Sequence, residues 1–205
     1  MLIQAQVGPA VSSTSLGAGS NPNLRLDNLG GLTVSQLNPR YYEETYRRQT
    51  YTIANQSGVT TTTTLTSGQT CTGLLIQNPT TSTVNTVITK IGYGITVAPA
   101  AAMLIGLMTG TGTSITSGVT PRNRFVGGVS AQTLASTSVA LPGTAVIETI
   151  LAVYQTTTLP AYTMNFIDLE GSLILPPGAF CAFYTSAASG ASGFFGSFQF
   201  VEVPL

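Results

Sequence analysis

Asp168 and Glu170 form the only close carboxylate pair in the strand-rich part of this 205-residue chain, and on an extended segment residues two apart share a face. Two acids so placed can act as acid and base at a glycosidic bond, or as oxygen ligands of calcium. Few polar residues flank them and Gly171 follows at once, so a solvated turn flank is the plainer reading. The chain has no histidine. That removes Ser-His-Asp and Cys-His nucleophiles, the commonest general base and every imidazole metal site. Cys71 and Cys181 lie far apart in apolar runs and form no C-x-x-C motif, so they read as two inert buried thiols. Gly110-Thr-Gly112-Thr lacks both the third glycine of a dinucleotide loop and the lysine of a phosphate loop, and reads as a turn. Asn55-Gln56-Ser57 matches a glycosylation acceptor by chance alone if no export signal is present. The residues therefore point to a protein that is not an enzyme and uses no cofactor or metal.

Composition points the same way. Apolar residues make up 43% of the chain, against seven Lys plus Arg and seven Asp plus Glu, for a formal net charge of zero. Little self-repulsion opposes association, so packing against copies of itself or against another protein lattice is favoured. No run of basic residues exceeds Arg47-Arg48, which leaves no electrostatic footprint for a phosphate backbone, and direct nucleic-acid binding is not expected. The charge-free stretch from Ile91 to Met108 approaches the length of a membrane span. Gly92, Gly94, Thr96, Pro99 and Gly106 break it into two strands and a loop, and no membrane partner is expected. No charge precedes Arg25, so the start lacks the basic region of a secretory signal and is read as mature.

Short β-rich runs punctuated by Gly, Pro, Asn and Ser begin at Tyr51, and their spacing predicts an all-β fold, an antiparallel sandwich of jelly-roll-like type over residues 51–205. The expected strands are 51–54, 59–65, 73–77, 84–97, 103–109, 122–126, 132–139, 145–155, 162–175 with a break, 180–186 and 194–203. Val87, Thr89, Ile91, Tyr93, Ile95 and Val97 alternate with Lys90, Gly92, Gly94 and Thr96, which predicts one buried and one wet face. The run 145–155 also fits a helical face through Ile147, Ile150, Leu151 and Tyr154, but its β-branched content favours a strand. Residues 1–50 form an arm and hinge. The first 37 show no period of 2 or 3.6 and too few apolar side chains to make their own core. Asn38 with Pro39 can cap a short helix in which Glu43/Arg47 and Glu44/Arg48 pair, although a Tyr-rich extended segment fits nearly as well.

Partner-binding candidates follow from this layout. Arg40, Tyr41, Tyr42, Tyr46 and Arg47 form the one strongly polar-aromatic patch, and Arg122 and Arg124 flank Asn123 after Pro121 in a neutral region. The two arginines suit either bidentate contact with an acidic surface or protection of an edge strand. Phe194, Phe198 and Phe200 point one way from the last strand while Phe195, Val201 and Val203 point the other, which suggests that a partner subunit covers one face. Tyr41, Tyr42, Tyr46, Tyr154 and Tyr184 are also the available platforms for a sugar ring in a chain without tryptophan.

Two stretches carry a family resemblance. The first is the segment from Leu24 to Arg47, LRLDNLGGLTVSQLNPRYYEETYR, with Gly73-Leu-Leu-Ile-Gln-Asn-Pro79. The second is Ser172-Leu-Ile-Leu-Pro-Pro-Gly178, leading into Ala179-Phe-Cys-Ala-Phe-Tyr-Thr185 and the closing Phe198-Gln-Phe-Val-Glu-Val-Pro204. The chain resembles head-associated structural proteins of tailed bacteriophages, in which a jelly-roll body carries an N-terminal arm. The resemblance implies a decoration or cement protein on the capsid surface of the virion, assembled in the host cytoplasm. Its implied partners are copies of itself, as a homotrimer, and the major capsid protein. The same turn-and-strand pattern occurs in tail-fibre and spike modules, so binding of host surface glycans is the alternative.

Overall fold

The computed structural model describes residues 41–61, 63–99, 101–154, 164–190 and 193–205. Tyr41–Leu205 forms one compact unit; the expected arm, the helix cap at Asn38 and Pro39, and Arg40 lie outside the described residues. A short helix, α1 (Tyr42–Tyr46), is followed by the strands β1 (Thr50–Ala54), β2 (Thr70–Gln77), β3 (Val84–Ile95), β4 (Met103–Thr111), β5 (Arg122–Asn123), β6 (Leu134–Ala140), β7 (Val146–Tyr154), β8 (Asn165–Leu175), β9 (Ala179–Thr185) and β10 (Phe194–Pro204). They form two antiparallel sheets, in the orders β5-β1-β10-β3-β8 and β6-β2-β9-β4-β7. With β5 and β6 set aside, each step along the chain crosses from one sheet to the other except β4 to β7, which pair as neighbours in the second sheet. The remaining orders, β1-β10-β3-β8 and β2-β9-β4-β7, give a jelly-roll-like sandwich. The all-β class expected from the turn spacing is thus what the chain forms.

Aromatic rings from both sheets fill the space between them. Phe183 of β9 lies 5.2 Å from Phe194 and 4.8 Å from Phe198 of β10, and Tyr51 stacks on Phe200 at 5.6 Å. Phe194, Phe198 and Phe200 are wholly buried here, so they belong to the body's own core and are not available to a partner, contrary to the expectation from sequence. The outer face of β10 is also covered largely from within. Thr50 and Val201, paired across β1 and β10, are both buried. The segment leading into β1 supplies the cover: the Tyr41 hydroxyl donates to Asp168 on β8, Gln49 accepts from the Glu202 amide on β10, and Arg48 accepts from Asn123 of β5. Of the outward residues, Phe195 is half-buried and Val203 exposed.

A second apolar cluster sits on the outer face of the second sheet. Cys71, Leu75, Met108, Phe180 and Ala182 point outward from it and are roofed by Ile115, Leu141 and Ala145 from connecting segments. The central strands of this sheet, β2, β9 and β4, are therefore buried on both faces by their own chain. The β6–β7 connection passes so close to the end of β4 that a Cβ on Gly143 would lie 1.9 Å from the Thr111 carbonyl oxygen, and one on Gly112 2.0 Å from that of Pro142. Only glycine permits this crossing.

Three local expectations change. Thr89 is an extra residue in β3, because Gln199 pairs with Lys90 but Phe200 with Ile88. The bulge inverts the alternation: Val84, Thr86 and Ile88 face inward before it and Ile91, Tyr93 and Ile95 after it, so Val87 does not share the buried face of Ile91. The expected strand at 59–65 reduces to a single bridge, Val59 to Phe194. Thr61 instead binds Ser189 through its amide and accepts from the Ser189 amide and the Thr185 hydroxyl through its own. The segment 122–126 keeps strand pairing only at Arg122 and Asn123.

Candidate interaction surfaces

The carboxylate pair proves to be part of a turn. Asp168 Oδ1 accepts the Glu170 amide at 3.2 Å and the Tyr41 hydroxyl at 3.3 Å, while Oδ2 lies 3.8 Å from Lys90 Nζ. Glu170 and Gly171 both take positive φ, 52° and 82°. With four residues of β8, 169–172, set against the single Thr89 of β3, the strand loops out, yet its alternation continues across the bulge, with Ile167, Leu169 and Leu173 packed on the core and Asp168 and Glu170 exposed. Both acids thus stand on the exposed side of a solvated turn, the plainer of the two readings from sequence. No group of three or more metal-ligating side chains occurs among the described residues.

Both thiols lie in the second sheet but on opposite faces, Cys71 in the outer cluster and Cys181 in the inner core. Burial pushes the Cys71 thiol up to about 12, and burial first, then the charge of Glu148, pushes Cys181 up as well. Both are free, as expected of inert cysteines. Burial also raises Tyr51, Tyr93 and Tyr154.

Among the described residues, two surfaces stand open to a partner. The first is the corner where β5 and the end of α1 meet. Asn123 organises it, donating to the carbonyls of Arg48 at 2.7 Å and Val129 at 3.2 Å while its oxygen accepts the Phe125 amide at 2.8 Å. Arg48 has left the helix at φ 64°, and its guanidinium sits over the Phe125 ring at 4.9 Å from the centroid, so the helical spacing predicted to pair it with Glu44 no longer applies. Arg47, Arg122 and Arg124 are exposed around this point. A concavity of about 340 Å³ lies between Pro121 and Ser130, rimmed by Val126, which is 93% exposed, and by Val129. Tyr42 and Tyr46 stack on each other at 6.0 Å, with an interplanar angle of 10°, and both remain exposed. Tyr154, by contrast, is buried and Tyr184 half-buried, so neither offers an open ring face for a sugar.

The second surface is the margin formed by β7 and β8, where the Tyr154 side chain of one strand reaches Asn165 of the other. Five successive residues, Val146 to Ile150, are exposed. Val153 is 69% exposed, Phe166 65% and Ile150 59%, and Met164 and Ile174 add further apolar surface. β7 contains no Pro, Lys, Arg or Gly, the residues that usually blunt a sheet edge. None of these β7 and β8 residues was singled out by the sequence analysis as partner-binding. The missing protectors in Val146–Tyr154 were the available signal. Comparison of the chain with known protein families, curated proteins and solved structures finds no match.

Proposed function

We propose that this chain is a structural assembly protein, a decoration or cement component of a tailed-bacteriophage head that works as a homotrimer against the major capsid protein. The observation that carries the reading is the open apolar margin of β7 and β8, which leaves a long strand edge and its side chains in water in a chain of very low charge. Such a margin costs solubility unless another surface covers it. A cement protein gains its effect from area and copy number, because many modest contacts repeated by symmetry give strong avidity. The jelly-roll-like body, closed by its own core and roofed on its second sheet, provides a rigid block for that purpose. The test is co-sedimentation of the purified protein with empty capsid shells, with and without residues 1–37. The full chain should saturate the shells and raise their melting temperature. A full chain that leaves shells unbound and unstabilised sinks the reading, and equal decoration by the truncated chain removes the arm from it.

The exposed stacked pair Tyr42 and Tyr46 supports a second reading, a tail-fibre or spike module that lays a host glycan on an aromatic face. Binding on a glycan array that is lost in Tyr46→Ala would favour it over the first.

A further inference from the structure

The charges of this chain are few, but they are sorted. Four of its seven cationic residues, Arg47, Arg48, Arg122 and Arg124, gather at the β5 corner, where α1, which leads into it, carries two acids, Glu43 and Glu44. Across the same sheet, β8 carries Asp168 and Glu170, and the adjoining β7 carries Glu148, with Lys90 as the cation beside them. β5 and β8 are opposite edges of the first sheet, so a formally neutral protein has a basic end and an acidic end. Each end also exposes apolar side chains, Phe125, Val126 and Val129 at one and Val146, Ile150, Val153 and Phe166 at the other. Like ends repel weakly and unlike ends match in both charge and apolar character.

We infer that the Arg122–Arg124 corner of one copy docks on the β7–β8 margin of the next, in a head-to-tail contact that closes into a ring. The occupant of the open margin is thus a second copy of this chain. Arg122 and Arg124 stand on either side of Asn123, whose three hydrogen bonds hold the loop, so the two guanidinium groups are presented on a fixed base. On the receiving side Glu148, which accepts the Thr109 hydroxyl at 3.2 Å, stands among the exposed apolar residues of β7 and is the carboxylate assigned to them. A nine-residue strand is about 30 Å long and two sheets with their side chains about 20 Å across. The margin therefore comes close to the roughly 800 Å² per partner of a standard interface. Heterologous contacts of this kind generate rings when the rotation closes, whereas an isologous contact of β7 with β7 would stop at a dimer.

This inference rests on reading the chain as a self-assembling part, but not on what shell it decorates. The experiment uses two full-length variants, each with one end spoiled. Arg122→Glu with Arg124→Glu keeps only the β7–β8 margin, and Glu148→Arg with Ile150→Lys keeps only the corner. Circular dichroism and thermal melting show that each is folded, and sedimentation velocity measures mass. The wild type should form a closed ring, and each variant alone should be a single chain, with association weakened at least about tenfold. Mixed one to one, the variants should form a dimer and nothing larger, since one good corner then meets one good margin. A variant that assembles alone like the wild type, a mixture that stays single, or a wild type that stays single at high concentration overturns the inference. Shell binding, scored separately on the wild type, tells the two readings apart: a ring that ignores shells removes the cement function and leaves the contact standing.

Discussion

The two sides of the sandwich treat their strand edges in opposite ways. On one side β5 has only two paired residues, set between Pro121 and Arg124, and the outer edge of β6 is bridged at Ala135 by Val119 with amide bonds from Gly118 and Val119. On the other, β7 runs for nine residues without a protecting Pro, Lys or Gly, and β8 for eleven, interrupted by its bulge. An edge strand is a template for pairing, and soluble proteins blunt it by shortening, charging or covering it. This chain does all three on the β5–β6 side and little of it on the β7–β8 side. The same insertion between β4 and β7 that covers one margin leaves the other bare. The asymmetry leaves the long unprotected strand edges on the β7–β8 side, where the proposed contact is received.

The comparison depends first on a rigid block between the two margins. Replacing Phe198, wholly buried against Phe183, with Ala should cost about 3–5 kcal/mol, read by urea or thermal unfolding, and should disable both sides together. Full stability in that variant would mean that the rings do not hold the sheets. A sharper test is Ile150→Lys on β7 against Val126→Lys on the β5 loop, both exposed. Each should change monomer stability by no more than about 0.5 kcal/mol. Loss of assembly with unchanged melting is expected of the β7 substitution, and an assembly indifferent to it would break the assignment of that margin. Asn123→Ala should cost about 1–2 kcal/mol, because it leaves three partners at the β5 corner unmet, and hydrogen exchange should rise in residues 123–130 alone.

The smallest effect concerns the two thiols, which sit away from both margins on either face of the second sheet. Neither should react with a disulfide reagent at pH 8 in the native protein, and both should react in denaturant. The sign of the pH dependence follows. The folded Cys71 keeps its proton up to about 12, whereas the unfolded thiol, with its ordinary value near 9.0, releases it earlier. Between those values the native state binds more protons, so the contribution is whole below pH 9 and falls away as pH rises toward 12. Buried Cys181, Tyr51, Tyr93 and Tyr154 act in the same direction. Unfolding titrations should show stability declining above about pH 9, and a rise there would contradict the burial of these groups.

Much of the fold was legible because strand chemistry is local. Alternation, turn residues and β-branched content located β1, β3, β4, β7, β9 and β10 to within a few residues, including β7, whose helical face was a real competitor. The failures were failures of register. A single extra residue at Thr89 reverses the faces of half of β3, and Glu170–Gly171 loops β8 out at positive φ, which the continuous alternation of that strand does not record. The run 59–65 has the composition of a strand but lends its hydroxyl and amide to Ser189 and Thr185, residues over 120 positions away. Candidate surfaces divided in the same way. Arg122, Arg124, Tyr42 and Tyr46 are exposed as polar or amphipathic residues outside a core tend to be, whereas Phe194, Phe198 and Phe200 went to the core.

By itself the sequence determined the strand content, the poverty of charge and the absence of histidine, since these depend on residue type and on spacings of two or three positions. Tertiary structure decided which of the apolar strands lie at the centre of a sheet and which at its margin. Val146–Tyr154 and Ala179–Thr185 are both mostly apolar, yet β9 is paired on both sides and buried while most of β7 faces water. Burial is a property of neighbours brought together from distant parts of the chain, and no local pattern records on which side a strand will run out of them.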